Sequence, residues 1–123
     1  MKINALNWFE LYVSDFDRAK KFYDAILNVT LQVVEGCANP MAIFPKDQAN
    51  GVSGALSQME GCEPGPGGTV VYLNVEGDLD GVVERISTEG GKVLQGRLDI
   101  APHGFIALFK DSEGNVVGLH SMI

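Results

Sequence analysis

The sequence predicts an α+β fold made of two paired copies of one module, each running strand, helix, strand, strand, strand. Three observations carry this reading. Trp8-Phe9-Glu10-Leu11-Tyr12-Val13 alternates, with Phe9, Leu11 and Val13 on one face and Trp8, Glu10 and Tyr12 on the other. Val70-Val71-Tyr72-Leu73-Asn74-Val75 repeats the pattern, with Val71, Leu73 and Val75 against Val70, Tyr72 and Asn74. Between the two copies, Pro64-Gly65-Pro66-Gly67-Gly68 cannot hold a regular element. The chain therefore reads as one domain of two modules, about 1–60 and 69–123, with a linker over 61–68.

Each element has its own warrant. Residues 5–13 form the first strand. Ser14 is the expected N-cap of a helix over about 15–27, with Asp17 completing a capping-box pattern. Phe16, Ala19, Phe22, Tyr23, Ile26 and Leu27 recur at helical spacing as its apolar stripe, and Asn28 is a left-handed stop. Strands follow at 30–35, 41–44 and 51–58. In the second module a strand over 69–75 leads to Asp78, which caps a helix to about 89. Its stripe is Leu79, Val82, Val83 and Ile86, and Gly90-Gly91 stops it. Strands at 92–96, 105–109 and 116–121 complete the module. Asp111-Ser112-Glu113-Gly114-Asn115 is the last turn, with Gly114 free to take positive φ. A curved sheet in each half has its helix on one face and leaves the other concave, so two such sheets enclose a cavity.

Composition narrows the functional classes. The 123 residues carry 46% apolar side chains, enough for one ordinary core. A formal net charge of −7, with 9 basic residues scattered along the chain, disfavours nucleic acid and anionic membrane surfaces as partners. No run approaches the ~20 apolar residues of a membrane span. The N-terminus lacks a signal-peptide core, so the expectation is a cytoplasmic protein. Cys37 and Cys62 stand apart, without a neighbouring His, and read as reduced thiols.

Taken together, the run from Trp8 to Tyr23, the second strand with its acidic helix start, Gly90-Gly91-Lys92-Val93 and the ending Phe109 to Asn115 with Gly118-Leu119 resemble the vicinal oxygen chelate superfamily. This is the glyoxalase, bleomycin-resistance and extradiol dioxygenase group. The resemblance implies paired βαβββ modules in an open barrel and a homodimer. It also implies a divalent metal held by His, Glu or Gln. Those ligand positions fall on Trp8, Val70, Gly118 and the stretch Gly54 to Ser57, none of which offers an imidazole or carboxylate. The expectation is therefore a member with no metal and no cofactor.

Strand parity sets the candidate site. The face that carries Trp8 and Val70 also carries Glu10, Tyr12, Tyr72, Asn74, Val116, Gly118 and His120. Glu10 and His120 are the candidate acid–base residues. A carboxyl buried among aromatics is pushed toward neutrality, and imidazole titrates near pH 7. Against that, Glu10 also reads as a charge paired with an arginine or bonded to a backbone group, and His120 as a satisfied strand histidine near the C-terminus. Trp8, Tyr12, Tyr72, Asn74 and His103 are candidate ligand contacts, with His103 on a loop at the cavity mouth or in solvent. Two functions follow. One is a protein that binds a small apolar or aromatic molecule without a metal. The other is a metal-independent enzyme of lyase or isomerase type that uses Glu10, His120 or both.

Overall fold

The computed structural model describes residues 5–36, 39–49 and 51–123. Cys37, read above as a reduced thiol, lies outside them. The first module holds β1 (Trp8–Tyr12), α1 (Phe16–Leu27), β2 (Gln32–Val33), β3 (Met41–Ile43) and β4 (Ser53–Ser57). The second holds β5 (Tyr72–Asn74), α2 (Leu79–Thr88), β6 (Lys92–Asp99), β7 (Phe105–Lys110) and β8 (Val116–Ser121). Each module forms one four-stranded sheet, ordered β1-β4-β3-β2 and β5-β8-β7-β6. In each, the first strand runs parallel to the last and sits at the sheet edge. The two modules therefore have the same topology, as their sequence patterns require. Among the described residues no helix is long and apolar enough to cross a membrane.

Local departures from the expected boundaries have physical causes. Asp15, not Ser14, is the N-cap of α1, and its Oδ1 accepts from the Arg18 N–H at 3.1 Å. Ser14 is drawn away because its N–H and hydroxyl both donate to Glu113. Asn28 ends α1 at φ 56°, the left-handed stop its side chain tolerates. Asp78 occupies the N-cap of α2 but makes no capping bond, since its carboxylate is engaged by Arg85 at 2.6 Å. β6 continues past Gly96 to Asp99. Register shifts against β7 absorb the glycine as bulges.

One core takes in both helices and the inward faces of both sheets. Phe22 and Tyr23 of α1 pack their rings on Phe109 of β7, at 6.2 and 6.4 Å between centroids. Val13, Leu73, Val75, Val117 and Leu119 are buried in this core, and Phe9, Leu11 and Val71 pack against it. The alternation read from β1, β5 and β8 is thus the observed one. The opposite faces of both sheets look away from the core, so Trp8 and Tyr72 are 42% and 46% exposed.

The turn after β7 locks the modules together. Asp111 is buried and accepts from the N–H groups of Glu113 and Asn115, both at 2.8 Å. It also accepts from the Tyr23 hydroxyl at 2.7 Å. Burial first, then the Asp111 charge, pushes the Tyr23 phenol well above its usual range. Asn115 donates to the Tyr12 carbonyl at 2.9 Å. Glu113 accepts from the N–H groups of Ser14 and Asp15 and from Arg18 Nε at 2.7 Å, closing over the N-terminus of α1. Gly114 takes φ 91° in this turn, as expected.

Candidate functional site

The expected site residues fall into two groups, one on each sheet. On β1, Trp8, Glu10 and Tyr12 alternate on the outward face and are all exposed. Trp8 Nε1 donates to Glu10 Oε2 at 3.2 Å, so the carboxylate stands between two rings with one oxygen tied to the indole. Glu10 is not buried among aromatics as the sequence suggested. Alternate residues on an edge strand lie only about 7 Å apart, and water reaches between them. The Cys62 thiol at its hydroxyl, more than burial or the Glu10 charge, holds the Tyr12 phenol above its ordinary range. Cys62 itself is a free thiol, and its Sγ lies 3.8 Å from Met59 Sδ.

Beside this strand, Ser53, Ala55 and Ser57 of β4 pair with Trp8, Glu10 and Tyr12 and share their face. All three are buried between β1 and β3. Among the described residues, Ser57 Oγ is a buried polar atom without a partner. Such a group costs about 1–3 kcal/mol.

On the second sheet, Tyr72 and Asn74 of β5 pair with Gly118 and His120 of β8. A side chain at Gly118 would run into the Tyr72 ring, so glycine there is a packing requirement. His120 Nε2 lies 2.7 Å from the His103 carbonyl oxygen. A carbonyl only accepts, so Nε2 donates, and in that tautomer of the imidazole Nδ1 is the acceptor. His103 thus reaches the group through its backbone, which orients His120. Asn74 Oδ1 accepts from the Glu76 N–H at 3.0 Å and helps the chain leave β5. Among the described residues no hydrogen bond joins Glu10 to His120, and β1 and β5 belong to separate sheets.

The positions where relatives of this fold hold a divalent metal do not fit one here. Trp8 presents an indole, Val70 an isopropyl group, and Gly118 a bare backbone under Tyr72. The outward residues of β4 supply only hydroxyls and a methyl. Among the described residues no group of three or more His, Cys, Asp or Glu converges on one point. A zinc-type centre takes three or four such ligands.

A cavity of about 670 Å³ opens at the seam of the modules, along the edge of β5. Tyr72 and Asn74 reach its rim, while Trp8, Glu10, Tyr12, His103 and His120 do not line it. Its walls include Phe9, Leu27, Phe44 and Val82. Sequence periodicity had placed such residues in strand and helix stripes. Nothing in a single stripe shows where two stripes fail to meet.

A family model described as "Glyoxalase/Bleomycin resistance protein/Dioxygenase superfamily" matches residues 5–119. A "Glyoxylase-like domain-containing protein" of Didymella fabae is 31% identical over 117 residues, which is 86% of this chain and 84% of that one. Among solved structures, a glyoxalase/bleomycin resistance protein from Albidiferax ferrireducens T118 superposes with a TM-score of 0.72 at 19% identity. It covers 96% of this chain and 99% of its own. The hypothetical protein SA1046 from S. aureus superposes at 0.70 and 22% identity, over 97% of each chain.

Proposed function

The chain belongs to the glyoxalase/bleomycin resistance protein/dioxygenase superfamily, and we propose that within it this protein binds a small organic molecule on its outward sheet face without a divalent metal. The observation that carries the reading is Glu10 set between Trp8 and Tyr12 on one exposed strand face. Two rings flanking a carboxylate suit a flat aromatic cation, which stacks on one ring and places its charge at the acid. Metal chemistry is left out because the positions that would hold the ion offer no imidazole or carboxylate.

The site is half of a larger one. Trp8, Tyr12, Val70, Tyr72, Leu94 and Leu98 are large apolar side chains exposed on a single chain. A homodimer that lays the first sheet of one chain against the second sheet of another covers them. It brings Tyr72, Asn74 and His120 of one copy toward Glu10 of its mate. Catalysis by Glu10 with His120 is the second reading. It rests on the free Nδ1 that the His103 carbonyl leaves to His120.

Trp8 is the chain's one tryptophan, so its fluorescence reports on this face. Berberine, a flat aromatic cation, should quench it saturably in chelator-treated protein, and naphthalene-2-sulfonate should not. Glu10→Ala should weaken berberine binding about fivefold while leaving fold and dimer intact. Equal binding of both probes, or indifference to Glu10→Ala, would overturn the reading. Glu10→Gln separates the two functions, because binding tolerates it and acid–base turnover does not.

A further inference from the structure

The seam cavity meets the face just described only at its rim, through Ser53, Tyr72 and Asn74, and neither Trp8, Glu10 nor Tyr12 lines it. It is walled by Phe9, Leu27 and Phe44 from the first module and by Leu73, Val75 and Val82 from the second. At about 670 Å³ it falls in the range of sites for small organic ligands, and a junction between modules is a common place for one. Every residue from Val71 to Glu76 lines it, so it runs the length of an edge strand that, among the described residues, has a partner only on its β8 side.

Its polar end is acidic. Asp78 and Glu76 stand there together. The Asp78 charge is answered by Arg85 Nη2 at 2.6 Å. Glu76 Oε1 accepts from the Met122 amide N–H at 2.6 Å and forms no ion pair among the described residues. Among the described residues the lip therefore keeps one uncompensated negative charge beside an apolar bore.

We infer that the seam cavity binds a small amphipathic amine, with its alkyl body against Phe9, Phe44 and Val82 and its ammonium at Glu76. A fatty acid would set like charges together at the lip. A neutral chain would fill the bore and leave the carboxylate unanswered. The ammonium supplies the missing charge, and the rest of the molecule needs only apolar contact. Because both modules contribute walls, the ligand ties them together and stabilises the folded chain.

The test follows amide shifts of the ¹⁵N-labelled full chain during titration with decylammonium chloride below its micelle concentration, beside decanol and decanoate. Saturable shifts are expected at Leu73, Val75 and Glu76, with the Trp8 indole unmoved. Glu76→Gln keeps an acceptor for Met122. It should weaken decylammonium about fivefold and leave decanol unchanged. Val52→Arg adds a repelling charge at a half-exposed rim position and should abolish decylammonium binding. The inference is overturned if no saturable shifts occur, if decanoate binds as well as the amine, or if Glu76→Gln has no effect. It is also overturned if the shifts centre on Trp8, Tyr12 and His120, a result that would instead favour the outward face as the amine site. The berberine experiment stands or fails separately, since it reads a different face.

Discussion

Glu113→Gln removes one charge from the clasp that joins the modules and leaves its shape. Burial pushes the Glu113 carboxyl up. Arg18, the Asp15 N–H, the Ser112 hydroxyl and the Ser14 N–H together outweigh it and hold the group down from 4.5 to about 2. At 1.36 kcal/mol per pH unit that difference corresponds to about 3 kcal/mol. Arg18 is 53% exposed. Solvent screening of the pair brings the expected contribution to roughly 2 kcal/mol. The depressed carboxyl stabilises the fold fully above its unfolded value of 4.5, and the contribution is lost as pH falls toward about 2. Urea unfolding at pH 7 should show the Gln variant with a midpoint lower by about 1 M and an unchanged slope. Between pH 4.5 and 2 the native protein should lose this increment and the variant should not. Equal midpoints at pH 7, or parallel loss in acid, would refute the clasp as an electrostatic element.

Three further perturbations probe the frame and the site. Tyr23→Phe leaves Asp111 short of a buried donor and should cost about 1–3 kcal/mol in urea unfolding; a change near zero would mean the buried pair adds nothing. Gly118→Ala drives a methyl into the Tyr72 ring and should cost about 1–3 kcal/mol, with Tyr72→Ala restoring most of it. Absence of rescue would show that some other neighbour requires the glycine. Ser57→Ala removes an unpartnered buried hydroxyl and should be neutral or stabilising in thermal unfolding, whereas a loss above about 1 kcal/mol would reveal a partner for that oxygen.

The fold was legible because its signals are local and repeated. Period-two alternation placed β1 and β5, helical stripes placed α1 and α2, and Asn28 marked a helix end. The N-cap of α1 differs from the capping pattern because a long-range acceptor, Glu113, competes for Ser14, and capping patterns register only neighbours along the chain. Parity assigned Trp8, Glu10 and Tyr12 to one face but overestimated how far Glu10 is buried. Burial depends on what packs across a face, which one strand's pattern does not contain. The acidic turn was legible as a turn but not as a clasp, since its partners Tyr23, Ser14 and Arg18 lie a whole module away. The seam cavity was invisible for the same reason: its walls are two apolar stripes, each of which alone reads as core.

Native mass spectrometry of the untagged protein reads metal-free binding on the outward face in a single spectrum, because copy number, bound metal and bound organic molecule appear together. The expected species is a dimer without a transition metal that gains one berberine per outward site and loses that gain in Glu10→Ala. A chain carrying one zinc or other transition metal per copy, with berberine taken up equally by Glu10→Ala, would contradict it.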